Sequence, residues 1–251
     1  MTRPSLYLCW IYPMIFLSLY AVVMHRRFTM LHGMEFSSAD LIILTFEPII
    51  FAPAVVFFWA FIVAAILNRD FNPAVVIRYP SKQSLWWAQV QKILLLGFVY
   101  ALYLTIMIAV IGKTVCEISI NFNSKNSLFF QHTGVMLEDN INLALVLFVF
   151  FVSAFLPIAA MCLVMALSKW VWGNNIFGAL IVVAVAAVDM IAYNEHFRGL
   201  LYGHCLPFYP RWLHMQELFS SLLVPFVWVV GIVSLGFIVS ERRDFLHVQQ
   251  K

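Results

Sequence analysis

Six apolar stretches dominate this chain: Leu6 to Met24, Leu41 to Leu67, Ile93 to Gly112, Ile141 to Leu167, Ile176 to Tyr193 and Leu222 to Val239. About 20 consecutive apolar residues in helical geometry cross the hydrocarbon layer of a bilayer. Inside that layer every backbone N–H and C=O must be satisfied within the segment, which makes the helix the conformation open to stretches of this length. The sequence therefore predicts an all-α polytopic membrane protein with six spans, one transmembrane domain over residues 1–251. Only 11% of the 251 residues are charged and 63% are hydrophobic, whereas soluble domains carry about 25% charged residues. No separate soluble domain is expected. The second stretch is long enough to tilt or bend, with Pro48 and Pro53 as bending points, and the fourth runs around Pro157. After the first stretch comes His25-Arg26-Arg27 in place of a small-residue cleavage site, so it reads as a retained span and not a signal peptide.

Counting Lys and Arg on the two sides orients the chain. With both termini cytoplasmic, Arg3, Arg69, Arg78, Lys82, Lys92, Lys169, Arg242, Arg243 and Lys251 lie inside. Arg26, Arg27, Lys113, Lys125, Arg198 and Arg211 then lie outside, nine against six. Arg26-Arg27 pulls the other way, so the loop between the second and third spans decides the orientation. The net charge of +3 is spread through short loops and makes no basic stripe, so nucleic acid is not an expected partner.

That deciding loop, Asn68 to Lys92, is the most informative stretch. Pro80 ends whatever precedes it and Ser81 can cap a new helix, on which Trp86, Val90 and Ile93 share one face at i, i+4 and i+7. Lys82, Gln83 and Gln89 can face elsewhere. The pattern predicts an amphipathic helix at the inner interface, with tryptophan at headgroup level and a polar side offered to the cytoplasm. Periodicity alone favours the plainer reading, in which Trp86, Trp87 and the basic residues anchor the third span.

Arg78-Tyr79-Pro80-Ser81-Lys82 followed by Trp86-Trp87 resembles the first cytoplasmic loop of the membrane (permease) subunit of type-2 ABC transporters, an Arg-x-Pro-Ser-basic turn and an aromatic pair leading into the third helix. The resemblance implies six helices with cytoplasmic termini, in a plasma membrane and bacterial in origin. It implies a coupling helix formed by Arg78, Tyr79, Pro80, Ser81, Lys82, Trp86 and Trp87 that docks on a separate ABC ATPase subunit. It also implies a second permease copy or homologue, with ATP and Mg held by the ATPase and no cofactor in this chain. The family often has a re-entrant excursion before its last helix, and the apolar loop Asn194 to Ser221, with Leu200-Leu201-Tyr202 and Leu206-Pro207-Phe208-Tyr209-Pro210, fits one. An aromatic segment packed on helix ends fits that loop equally.

Two acids fall inside apolar stretches, Glu47 and Asp189. An ionised carboxylate in hydrocarbon costs several kcal/mol unless it meets water or a partner. Both lie in the outer half, Glu47 roughly 9 Å below the outer end of its helix. They are candidates for lining an outward substrate path. Hydrogen bonding to neighbouring helices or snorkelling to the surface is the plainer alternative, and their shallow depth favours it. Six of the seven histidines, His25, His32, His132, His196, His204 and His214, fall in outer segments, but no HExxH or close pairing supports a metal site. Cys116 and Cys205 share the outer side, where a disulfide is open to them. Gly112-Lys113-Thr114 looks like the end of a phosphate loop, but Met107 stands where the earlier glycine belongs.

The expected function is a permease subunit of an ATP-driven exporter moving a peptide, drug or lipid-like amphiphile. No catalytic motif is seen in the chain itself, so ATP hydrolysis falls to the partner subunit. A non-transporting accessory or immunity membrane protein is the alternative. An intramembrane enzyme would need clustered His, Asp, Ser or metal ligands, which Glu47 and Asp189 alone do not supply.

Overall fold

A computed structural model describes residues 3–46, 51, 57–137, 141–192, 199–205 and 207–242. The described chain is helical. Helix α1 (Arg3–Arg26) runs on into a π-helical turn, Arg27–Leu31. There follow α2 (Ser38–Thr45), α3 (Phe57–Asp70), the single turn α4 (Pro73–Val76) and the long α5 (Lys82–Val115). After α6 (Leu128–Thr133) come α7 (Leu143–Trp172), α8 (Asn175–Ala192), α9 (Tyr202–Cys205), α10 (Met215–Ser221) and α11 (Leu223–Arg242). Among the described residues there are no strands, only isolated bridges between Glu35 and Ser127 and between Ser37 and Ile118.

Four helices are long and apolar enough to cross a membrane: Trp10–Leu31, Lys82–Val115, Leu143–Trp172 and Gln216–Arg242. They correspond to the first, third, fourth and sixth expected spans. The fifth is the shorter apolar helix Asn175–Ile191. The second is seen as two pieces, α2 and α3, and the expected bends at Pro48 and Pro53 lie outside the described residues.

Local chemistry explains the helix limits. The Ser81 hydroxyl accepts the Ser84 N–H at 3.1 Å while Ser84 Oγ accepts the Ser81 N–H, a reciprocal box that starts α5 where Pro80 ends the preceding turn. Asn142 caps α7 through the Leu145 N–H at 2.8 Å. That helix stops at Gly173, whose φ of +74° is a conformation other residues rarely take.

The assembly is apolar on its outer rows as well as in its core. Helix α7 lies at the centre, against α3, α5, α8 and α11, and is buried along most of its length. Around it, α5 turns a row of Leu95, Phe98, Leu102, Ile106 and Val110 outward. Outer rows of this kind suit a lipid solvent, in which small residues and close packing hold helices together in place of the hydrophobic effect. Gly178 of α8 lies so near α7 that a Cβ there would sit 2.8 Å from Met165 Cα, and only glycine permits the approach.

Candidate functional site

The stretch singled out for partner docking forms one end of the bundle, but not as a separate interfacial helix. From Lys82 the chain is one 34-residue helix, α5, about 50 Å long at 1.5 Å per residue. That exceeds the ~30 Å hydrocarbon layer, so its first turns extend the span rather than lie across it.

Ahead of α5 is a tight turn. Ala74 N–H donates to Asn72 Oδ1, and the Arg78 and Tyr79 N–H groups donate to the carbonyls of Val75 and Val76. Arg78, Pro80 and Ser81 are exposed, Tyr79 and Lys82 half-buried. Trp86, Val90 and Ile93 do share a face, and it is the buried one. The Trp86 indole N–H donates to Val233 O of α11 at 3.1 Å, and its ring stands edge-on to Trp170, 6.1 Å between centroids. A Cβ built at Gly236 would collide with this indole, so α11 receives the ring only because glycine stands there. Trp86 therefore faces protein and not headgroups, whereas Trp87 beside it is half exposed.

Three further contacts bind this end together. Gln83 Nε2 donates to Glu241 Oε1 of α11. Trp170 of α7 donates to Gln89 Oε1 at 2.7 Å. Lys92 Nζ meets both Asp70 oxygens, at 2.6 and 2.7 Å, and so ties α5 to the end of α3. A shallow hollow lined by Ser81, Gln83, Ser84, Trp87 and Phe237 opens between α5 and α11.

At the opposite end the connecting segments fold into a cap. Here α5 approaches α2 through Gly112, whose added Cβ would meet Ser38 Cβ at 3.0 Å. Gly112-Lys113-Thr114 is thus helix and not a phosphate loop. The apolar stretch before the last span packs inward: Leu201, Tyr202, Cys205, Tyr209 and Trp212 are buried. The Arg211 guanidinium donates to the carbonyls of Gly203 and His204, both at 3.0 Å, and holds the end of α9.

Asp189, a candidate for the substrate path, is fully buried and already engaged. Its carboxylate accepts the backbone N–H groups of Leu200, Leu201 and Tyr202. Glu47 lies outside the described residues. Cys116, Cys162 and Cys205 are free thiols. Among the described residues no three His, Cys, Asp or Glu side chains gather closely enough to hold a metal ion.

Asp40 was not expected at this site. The pattern Ser37-x-x-Asp40 before an apolar run is the signal that reveals it. Asp40 accepts from the Ser37 N–H and hydroxyl, at 2.9 and 2.7 Å, and from the Tyr209 hydroxyl at 2.9 Å. His132 stacks on Tyr209, centroids 5.0 Å apart.

Compared with protein-family models, with curated proteins and with solved structures, the chain matches none of them.

Proposed function

We propose that this chain is the permease subunit of an ATP-driven exporter, crossing a plasma membrane six times with both termini in the cytoplasm. A separate ATPase subunit, carrying ATP and Mg, docks on the turn and first helical residues from Arg78 to Trp87. The observation that carries this reading is the continuity of α5 from Lys82 to Val115. No proline interrupts it, and proline is the commonest cause of a sharp kink.

Force applied at the Arg78 end is then transmitted to the far end without a hinge. There Gly112 bears on Ser38, and the Ser38 N–H donates to Ile118 O at 2.9 Å, so the movement reaches α2 and the cap. At the driven end Trp86 and Gln83 fasten α5 to α11, and the two helices move together. Arg78 and Trp87 supply a charged and an aromatic contact, the residue types that dominate protein interfaces. Trp86 acts as an internal fastener and not as a contact.

The conducting path lies between this chain and a second permease copy, because α7 and its neighbours fill the interior of one copy. Its walls are apolar and aromatic, which suits a peptide, drug or lipid-like amphiphile.

Trp87→Ala separates docking from folding. The variant should melt within about 0.5 kcal/mol of wild type, as exposed substitutions usually do, yet retain less ATP hydrolysis when purified from its own membranes in mild detergent. Unchanged hydrolysis would remove Trp87 from the interface. A preparation with no hydrolysis even in wild type would favour a non-transporting accessory or immunity protein.

A further inference from the structure

Between the far ends of α5 and α7, near the cap, lies a cleft of about 500 Å³. Clefts of roughly 300 to 1,000 Å³ are the size that takes small ligands. Ile106, Ala109, Val110 and Lys113 line it from one face of α5. Leu143 and Leu147, one turn apart, form the facing wall on α7. Ile106 and Val110 are each 57% exposed, so the cleft opens on the apolar outer surface of the bundle.

Its two ends differ in chemistry. Toward the middle of α5 the walls are aliphatic apart from Thr105, whose hydroxyl is taken up by the Ala101 carbonyl at 2.8 Å. At the cap end stand the Lys113 ammonium and the hydroxyl residues Ser38 and Ser119. Ile106 and Lys113 are about 10 Å apart along the helix at 1.5 Å per residue. A molecule matching both ends has an apolar tail and an anionic head, and the medium around these helices is made of such molecules.

We propose that this cleft binds an anionic phospholipid, with an acyl chain along Ile106, Val110 and Leu147 and its phosphate at Lys113. The inference rests on the apolar helices lying in a bilayer and is independent of the ATP-driven reading. A lysine near a membrane surface contributes about 1 kcal/mol toward an anionic headgroup.

The test uses the purified full chain in detergent, mixed with dioleoyl phosphatidylglycerol or dioleoyl phosphatidylcholine, with retained lipid counted by native mass spectrometry. Wild type should keep phosphatidylglycerol in preference to phosphatidylcholine. Lys113→Glu should lower phosphatidylglycerol retention about fivefold or more, because it removes one such attraction and adds a repulsion. Ala109→Phe, which fills the cleft, should lower retention of both lipids. Lys125→Glu reverses an exposed charge that does not line the cleft and should change nothing. Melting without lipid checks each variant for folding, and Lys113→Glu decides if Ala109→Phe does not fold. Retention of phosphatidylglycerol unchanged in Lys113→Glu, or an equal loss in Lys125→Glu, would overturn the proposal.

Discussion

Replacing Asp189 with alanine should destabilise the protein by about 3 kcal/mol or more, because it strands several buried donors at once. Each unpaired buried polar group costs about 1 to 3 kcal/mol, and bonds to a charged acceptor lie at the strong end. Asp189 accepts three consecutive backbone N–H groups; Leu201 donates to Oδ2 at 2.9 Å and Tyr202 at 2.5 Å. The turn is shaped around the carboxylate. Gly199, at φ +82°, comes so near that an added Cβ would sit 2.5 Å from Asp189 Oδ1. Asp189→Asn keeps one carbonyl acceptor and should fall between wild type and alanine. Hydrogen exchange at Leu200, Leu201 and Tyr202 should accelerate in Asp189→Ala together with a lower melting temperature. Protection unchanged at those amides would show that the carboxylate does not hold the cap. A substrate-lining Asp189 would instead leave melting intact and alter transport alone.

The same residue shows where the sequence becomes illegible. An acid near the end of an apolar stretch can be placed in depth from its position, and its shallow depth favours hydrogen bonding over a substrate role. Its donors are backbone groups 11 to 13 residues away, and a sequence pattern records side chains, not the direction of a loop's N–H groups. Trp86 is a second case. Periodicity puts Trp86, Val90 and Ile93 on one face, and the structure keeps them there. What covers a face is a separate question, and the answer, Gly236, lies on another helix.

Other features were legible because their causes are local. Pro80 ends one segment and Ser81 starts the next with chemistry confined to four residues, and α5 begins at Lys82 as that chemistry requires. Four of the six apolar stretches emerge as helices long enough to cross a membrane, because length and apolarity are properties of the stretch itself. The Asp40–Tyr209 bond joins residues 169 positions apart. Its Asp40 half, the capping box, could be read locally, whereas its partner required the fold.

The central claim is that force enters at the Arg78 to Trp87 end. Arg78 is exposed in the turn ahead of α5, and Lys82 is the first residue of that helix. An acidic docking surface on an ATPase would meet both, and reversing them puts like charges face to face, a juxtaposition that costs several kcal/mol at an interface. Neither residue belongs to the buried packing around Trp86, so the fold should survive. The decisive measurement is purification of wild type and Arg78→Glu/Lys82→Glu from native membranes in mild detergent, with ATP hydrolysis and melting temperature read on the same samples. The account predicts that wild type carries hydrolysis and the double variant loses at least nine tenths of it, the tenfold that 1.4 kcal/mol gives, with melting unchanged. Equal hydrolysis in the two samples, or none in either, would contradict it and leave the Arg78 to Trp87 segment as an anchor for α5.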